Sequence, residues 1–388
     1  MDPARLTVDR LPADPTRTRS VEFVERKGLG HPDTICDGVA EAVSRRLSRW
    51  YRDRFGRVLH HNTDSVQLVA GRAAPAFGGG EVETPIYLLL GGRATASVDG
   101  DRIPVHDLAE EAALDYLTGR FDHLDAAHVE VESRIGEAGS ALRSLVQADP
   151  PLANDTSVGV GYAPLSETER IVRSLEPAVR DVGPGVGEDV KVMARGTPST
   201  LSVTVAAAVV AEHVADVSEY VAVTERIADV ARRHVRDRTD RDVAVRVNAA
   251  DDPAHGEVYL TVTGLSAEMG DDGNVGRGNR ANGVIAPYRP TSLEAVAGKN
   301  PVSHVGKLYN LVAGDAAARV TDELGADYAE VALLSRIGDP LADPQAAHVA
   351  TTAGDDVRDA AIRDALEAEL SAIESLTDDV IAGRRALF

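Results

Sequence analysis

The chain is poor in cysteine, in lysine and in long apolar runs. Its single cysteine, Cys36, excludes an internal disulfide framework and any multi-cysteine metal site. That pattern points to the cytoplasm. No stretch approaches the roughly 18 consecutive apolar residues of a membrane span, so no membrane partner is expected. The first 19 residues carry Pro and Arg but no apolar h-region, which argues against a secretory signal. Residues 1–20 therefore read as an N-terminal tail. Positive charge is scarce as well. Lys plus Arg number 41 against 62 Asp plus Glu, for a formal net charge of −21. This argues against nucleic acid, whose phosphates need a basic face. No G-x-x-x-x-G-K-[ST] pattern is present, which excludes an ordinary P-loop NTPase.

The scarcity of lysine is informative. Lys27, Lys191, Lys299 and Lys307 are the only lysines among the 41 basic residues. Arginine serves wherever a generic positive charge is enough. A retained lysine points to a need for a compact ammonium rather than a flat guanidinium. Each of the four lies in a glycine-associated, loop-like stretch: E-R-K-G, G-E-D-V-K, A-G-K-N-P and H-V-G-K.

What is present is a chain of 388 residues with 43% apolar content, ample for a folded core. Ile35, Val39, Val43, Leu47 and Trp50 predict an amphipathic helix over 33–55, with Pro32 in its first turn and His31 or Asp33 as cap. Helices are also predicted over 105–121, 167–179, 217–238, 305–324 and 357–384. Strands are predicted over 65–70, 84–91, 128–135, 158–162, 189–195, 200–210, 243–247, 258–262 and 328–335. Hairpin-like neighbours among interspersed helices favour an α+β fold with mixed or antiparallel sheets. The strand-and-helix set recurs in about three related units, with approximate segments 21–150, 151–265 and 266–388.

Three polar, glycine-rich segments carry the chemistry. The first is E-R-K-G-L-G-H-P-D-T-I-C-D-G, from Glu25 to Gly38. It begins like a phosphate loop, yet Asp33 stands where a third glycine would be expected. The second is N-D-T-S-V-G-V-G, from Asn154 to Gly161. The third runs from Ser266 to Asn310 and contains G-D-D-G-N-V-G-R-G-N-R. There Gly270, Gly273, Gly276 and Gly278 would let backbone N–H groups face a ligand. Arg277 and Arg280 supply bidentate phosphate contacts, and Lys299 and Lys307 add point charges. Asp33, Asp271 and Asp272 would repel bare phosphate, but they suit Mg²⁺ bridging carboxylate and phosphate. His31 is either a helix cap or a donor near a reacting oxygen. His304, between two lysines, is a further candidate; His60 and His61 read as structural and Cys36 as core. Gly136, Gly139 and Ser140 form a weak phosphate-turn signal. Asp64 and Glu81 flank the Gly78–Gly80 loop as candidate cation ligands.

These segments, with L-H-H-N-T-D, G-R-A-A-P-A-F-G-G-G-E-V, G-E-D-V-K-V-M and A-G-K-N-P-V-S-H-V-G-K-L-Y-N, follow in order from Val21 to Gly338. In them the chain resembles the archaeal-type S-adenosylmethionine synthetases (methionine adenosyltransferases). The resemblance implies a single unit over 21–388, built from three similar α+β domains interleaved in sequence. It implies a homodimer with active sites between subunits, substrates ATP and L-methionine, Mg²⁺ as cofactor, and K⁺ as an open further cation. Methionine sulfur attacks C5′ of ATP, and the displaced tripolyphosphate is hydrolysed to phosphate and diphosphate. By resemblance His31 donates toward the oxygen leaving C5′, Asp33 holds Mg²⁺ and Asp155 receives the methionine ammonium. Lys27, Lys191, Asp271, Arg277 and Lys299 match the residues that handle ATP. More distant members carry G-H-P-D-K and a K-V-D stretch after G-K-D-P. Here Thr34 and V-S-H-V-G-K stand instead. The second metal carboxylate is therefore open among Glu25, Asp37, Asp64 and Asp272, and His304 or Lys307 is available for phosphate.

Overall fold

The structure is a computed structural model and describes residues 1–139, 145–146, 148 and 150–388. Its regular helices are α1 (Pro32–Phe55), α2 (Val105–Thr118), α3 (Glu167–Arg180), α4 (Val217–Arg236), α5 (Val305–Leu324), α6 (Asp359–Ser371) and α7 (Ile373–Ala382). Three main sheets each carry a helical layer on one face, an α+β architecture.

The first sheet runs Gly136–Glu137, Ile86–Ala94, His61–Val69, Gly273–Asn274, with Val129–Ser133 parallel to Ile86–Ala94. Ile35, Val39, Val43 and Leu47 of α1 pack over Val66, Leu68, Leu88 and Leu90, and α2 joins the same core. The second sheet runs Asp242–Val247, Thr200–Val210, Val186–Gly196, Glu22–Lys27. Its core joins Ile171 and Leu175 of α3, Val223 and Ile227 of α4, and Val190, Val192, Val203 and Val205 of the strands. The third sheet runs Leu6–Arg10, Ala346–Thr351, Ala329–Leu334, Val158–Ala163. It is covered by Leu308, Val312 and Val320 of α5 and by Ile362 and Leu366 of α6. Alternating apolar residues on the strands and three-to-four spacing on the helices supply the matching faces.

The interleaving is explicit in the register. Leu6–Arg10 pairs in parallel with Ala347–Thr351, at the far end of the chain. Residues 1–20 are therefore not a tail throughout: Leu6 and Val8 pack on the third core and fix a strand there. The approximate segments also need redrawing. Glu22–Lys27 belongs to the second sheet, Val158–Ala163 to the third and Gly273–Asn274 to the first. Two smaller differences are local. The last helical stretch divides at Ala372 into α6 and α7, and the predicted 258–262 strand is regular only at Leu260–Thr261.

Candidate active site

The Glu22–Lys27 strand delivers Lys27 to the start of α1. Gly28 and Gly30 then close onto the neighbouring strand: their N–H groups donate to Val190 O and Glu188 O at 2.8 and 2.9 Å. A Cβ at Gly28 would lie 2.2 Å from Val190 O. These glycines therefore seat the chain against the second sheet, and their N–H groups are committed to it.

His31 caps α1, and its Nδ1 accepts the Asp33 N–H at 3.2 Å. In the neutral ring the proton therefore sits on Nε2. Burial first, opposed by the attraction of Asp33 and aided by Lys27, Lys191 and Arg277, lowers the His31 pKa to about 4. Near neutral pH this imidazole is an uncharged Nε2–H donor. Nε2 lies 3.9 Å from Asp271 Oδ2.

Asp33 is fully buried at the head of the helix. Its Oδ2 meets Lys27 Nζ at 2.7 Å. Its Oδ1 accepts the Asn274 N–H at 3.0 Å and lies 3.2 Å from Arg277 Nε. Asn279 clamps the Lys27 backbone, accepting its N–H at 3.0 Å and donating to its carbonyl at 2.7 Å. Lys191 Nζ pairs with Glu25 Oε1 at 3.0 Å on adjacent strands. Lys27, His31, Asp33, Lys191, Asp271 and Arg277 thus gather where α1, the second sheet and the 271–277 loop meet. A chain of net charge −21 holds a local cluster of cations there.

A second cluster forms at the head of α5. Lys299 is nearly buried between Asp64 and Glu294, pairing with Asp64 Oδ2 and lying 3.3 Å from Glu294 Oε2. Ser157 Oγ donates to the other Glu294 oxygen at 2.8 Å. His304 caps α5 as His31 caps α1: Nδ1 accepts the Gly306 N–H at 3.2 Å. Burial first, then Lys299 and Lys307, holds His304 well below its usual pKa. Asp155 stands exposed on the neighbouring turn, and its Oδ1 accepts the Thr156 N–H at 2.7 Å.

Several sequence-predicted residues take other places. Lys307 lies in the core with Nζ 2.6 Å from Glu41 Oε2, so it anchors α5 to α1 instead of facing phosphate. Arg280 turns back on its own loop and donates to Gly276 O and Gly278 O at 2.6 and 2.7 Å. Gly276 N–H donates to Asp37 Oδ1 at 2.9 Å, so that glycine serves a carboxylate. Asp272 Oδ1 accepts the Ala70 N–H at 2.8 Å. Glu81 is exposed on the hairpin of Arg72–Ala76 with Gly79–Thr84 and has no contact with either cluster among the described residues. Gly136 lies in a short strand against Arg93, Gly139 borders open space, and Ser140 lies outside the described residues. Cys36 is buried, and burial pushes its thiol pKa up, which suits a core residue.

Sequence reasoning missed Glu41, Asn279 and Glu294. A signal for Glu41 was present: Asp33, Asp37 and Glu41 recur every four residues on one face of α1. All three are buried. A cavity of about 400 Å³ opens beside α5 and is lined by Asp37, Arg173, Arg280 and Arg289. His31, Asp33, Lys191 and Lys299 do not line it.

A neutral histidine donor set among lysine, arginine and paired carboxylates suits an enzyme that expels an anionic polyphosphate. The carboxylates beside that cationic field fit a divalent ion bridging protein and phosphate oxygens. The fold and site thus define a polyphosphate-handling transferase of three α+β units. Comparison with known proteins gives the family. The family model for S-adenosylmethionine synthetase (AdoMet synthetase) matches residues 4–384. The S-adenosylmethionine synthase of Haloarcula marismortui is 49% identical over 382 residues, covering 95% of this chain and 96% of that protein. That of Pyrococcus furiosus is 49% identical over 354 residues, covering 89% and 88%. A solved structure, described as an unusual S-adenosylmethionine synthetase from Campylobacter jejuni, has the same fold. Its TM-score is 0.58 at 16% identity, over 95% of this chain and 87% of that one. The chain belongs to the S-adenosylmethionine synthetase family. Its activity is that of a methionine adenosyltransferase, converting ATP, L-methionine and water to S-adenosylmethionine, phosphate and diphosphate.

Proposed function

We propose that the Lys27–Arg277 cluster of one chain and the Asp64–Lys299 cluster of a second copy close one active site in a homodimer. The observation that carries this reading is the separation of the two clusters. Each is a preformed set of lysine, carboxylate and capping histidine, and no direct side-chain contact joins them among the described residues.

Within the site, Lys27, Lys191 and Arg277 hold the triphosphate. His31 donates an Nε2–H hydrogen bond to the oxygen leaving C5′, where negative charge develops. Because the ring is already neutral, it donates a hydrogen bond without first being charged. Asp155 receives the methionine ammonium, and Lys299 stabilises the polyphosphate from the other copy. Arg280 and Asn279 hold the loop and strand that carry Arg277 and Lys27. Mg²⁺ would be held by Asp33 and Asp271, with Asp64 or Asp272 as further carboxylates. When bound, the ion neutralises charge on the polyphosphate oxygens. Glu81 and Lys307 have no place in this arrangement. K⁺ is the monovalent ion to include in assays. The lone buried cysteine supports a cytoplasmic setting. Among the described residues no helix is long and apolar enough to cross a membrane.

Co-expression of Asp33→Asn with Lys299→Arg tests the shared site. Each variant alone should form little S-adenosylmethionine. In a mixed dimer one site would carry both substitutions and the other neither. Random pairing then restores about one quarter of wild-type activity. No restoration, with mixed dimers verified, would place both clusters in a site made by one chain.

A further inference from the structure

We propose that His123, Glu212 and His213 form a second metal site, which takes a divalent transition ion of the Zn²⁺ class. One ligand atom from each of the three side chains lies within 4.8 Å of the others. The two imidazoles meet edge to face, with ring centroids 5.2 Å apart and an interplanar angle of 73°. Among the described residues none of the three side chains has a hydrogen bond or ion pair, so their lone pairs are uncommitted.

The backbone holds both halves of the site in place. His123 sits between Phe121 and Leu124, both buried in the first core. The N–H of Asp122 donates to Glu188 Oε1 at 3.3 Å, which ties this loop to the second sheet. Glu212 and His213 lie between Ala211 and Val214, both buried in the second core. The Gly78 N–H donates to Ala211 O and Val214 O at 3.0 and 2.7 Å. Only the side chains need to move. Ligand atoms of a tetrahedral Zn²⁺ shell lie about 3.3 Å apart, given Zn–N bonds of about 2.0–2.1 Å. Glu212 and His213 are exposed, and rotation of their side chains closes that difference.

The donor set decides the ion. Two imidazoles and one carboxylate suit Zn²⁺, Co²⁺, Ni²⁺ or Cu²⁺, whereas Mg²⁺ prefers an all-oxygen octahedron. The site is therefore chemically distinct from the carboxylate set around Asp33. A bound ion would link the α2 end of the first unit to the turn after Thr200–Val210 in the second.

The test uses the full chain in excess Mg²⁺, titrated with ZnCl₂ by calorimetry and followed by thermal unfolding. Wild type should take up one Zn²⁺ per chain that Mg²⁺ does not displace, and its Tm should rise. His123→Ala and His213→Ala should each weaken that uptake at least about tenfold, the scale on which even outer-shell changes act. Both should keep wild-type S-adenosylmethionine formation without Zn²⁺, which also verifies their folding. Co²⁺ in the wild type should show visible bands of an imidazole-ligated ion that are missing in the double variant. Absence of Zn²⁺ uptake by wild type, or uptake unchanged by the double substitution, overturns the proposal.

Discussion

Lys299 shows why the retained lysines are not interchangeable with arginine. Its side chain is 4% exposed, wedged between Asp64 and Glu294. Its Cε lies so near the start of α5 that a Cβ at Gly306 would meet it at 2.8 Å. A guanidinium is wider and carries its charge in a plane. Lys299→Arg should lower kcat at least about tenfold by breaking one of the two pairings. Wild-type turnover would show that charge alone suffices there. Two other titrating groups act on stability in opposite senses. Burial raises Asp37 to about 7 from its ordinary value of 3.8. The folded chain therefore holds the extra proton between those values. Asp37's contribution is full below pH 4 and is lost as pH rises through 7. His31 moves from 6.5 down to about 4. Its contribution is present above 6.5 and is lost as pH falls through 4. Asp37→Asn removes only the first effect. The stability of the variant relative to wild type, from urea midpoints, should increase between pH 4 and pH 7. A constant difference would mean that Asp37 titrates normally.

Helices α1 and α5 begin alike, each with a histidine cap whose Nδ1 accepts the N–H two residues on. Each carries a cluster of lysine and carboxylate side chains at its head and a buried apolar face. Both helices were legible from three-to-four spacing, because that pattern depends only on neighbours along the chain. The strand Ala346–Thr351 was not legible. A-A-H-V-A-T has weak alternation, and partners on both sides hold it. Packing at α5 explains two glycines of the second motif. A Cβ at Gly159 would lie 2.3 Å from the Tyr309 carbonyl carbon, and one at Gly161 would lie 2.2 Å from Gly314 N. The strand needs glycine there so that the helix backbone can approach. Gly159→Ala should cost about 1–3 kcal/mol by urea unfolding, the usual scale of overpacking. Gly139→Ala meets nothing within 4 Å and serves as the near-neutral control.

Interleaving makes the ends of the chain part of one core. Leu6 and Val8 pack on the third sheet, and the Met1 ammonium pairs with Glu367 of α6 at 2.9 Å. Deleting residues 1–10 removes those contacts and uncovers the edge of Ala346–Thr351. A loss of about 2–4 kcal/mol is expected, from two partly buried apolar side chains and one strand ladder. An unchanged urea midpoint would mean that the strand adds nothing to stability. Local pattern was enough to read the helices and the hairpin of the second sheet. It also brought out how few lysines the chain keeps, because composition and spacing are properties of the chain itself. Placement was a different matter. Lys27 meets Asp33 and the Arg277 carbonyl, Lys299 meets Asp64 and Glu294, and Lys307 is lost to the core beside Glu41. Arg277 and Lys299 meet partners more than 200 residues away in sequence, and Lys307 meets Glu41 266 residues back. Such distant pairings depend on how three sheets share their strands, and local spacing does not encode that arrangement.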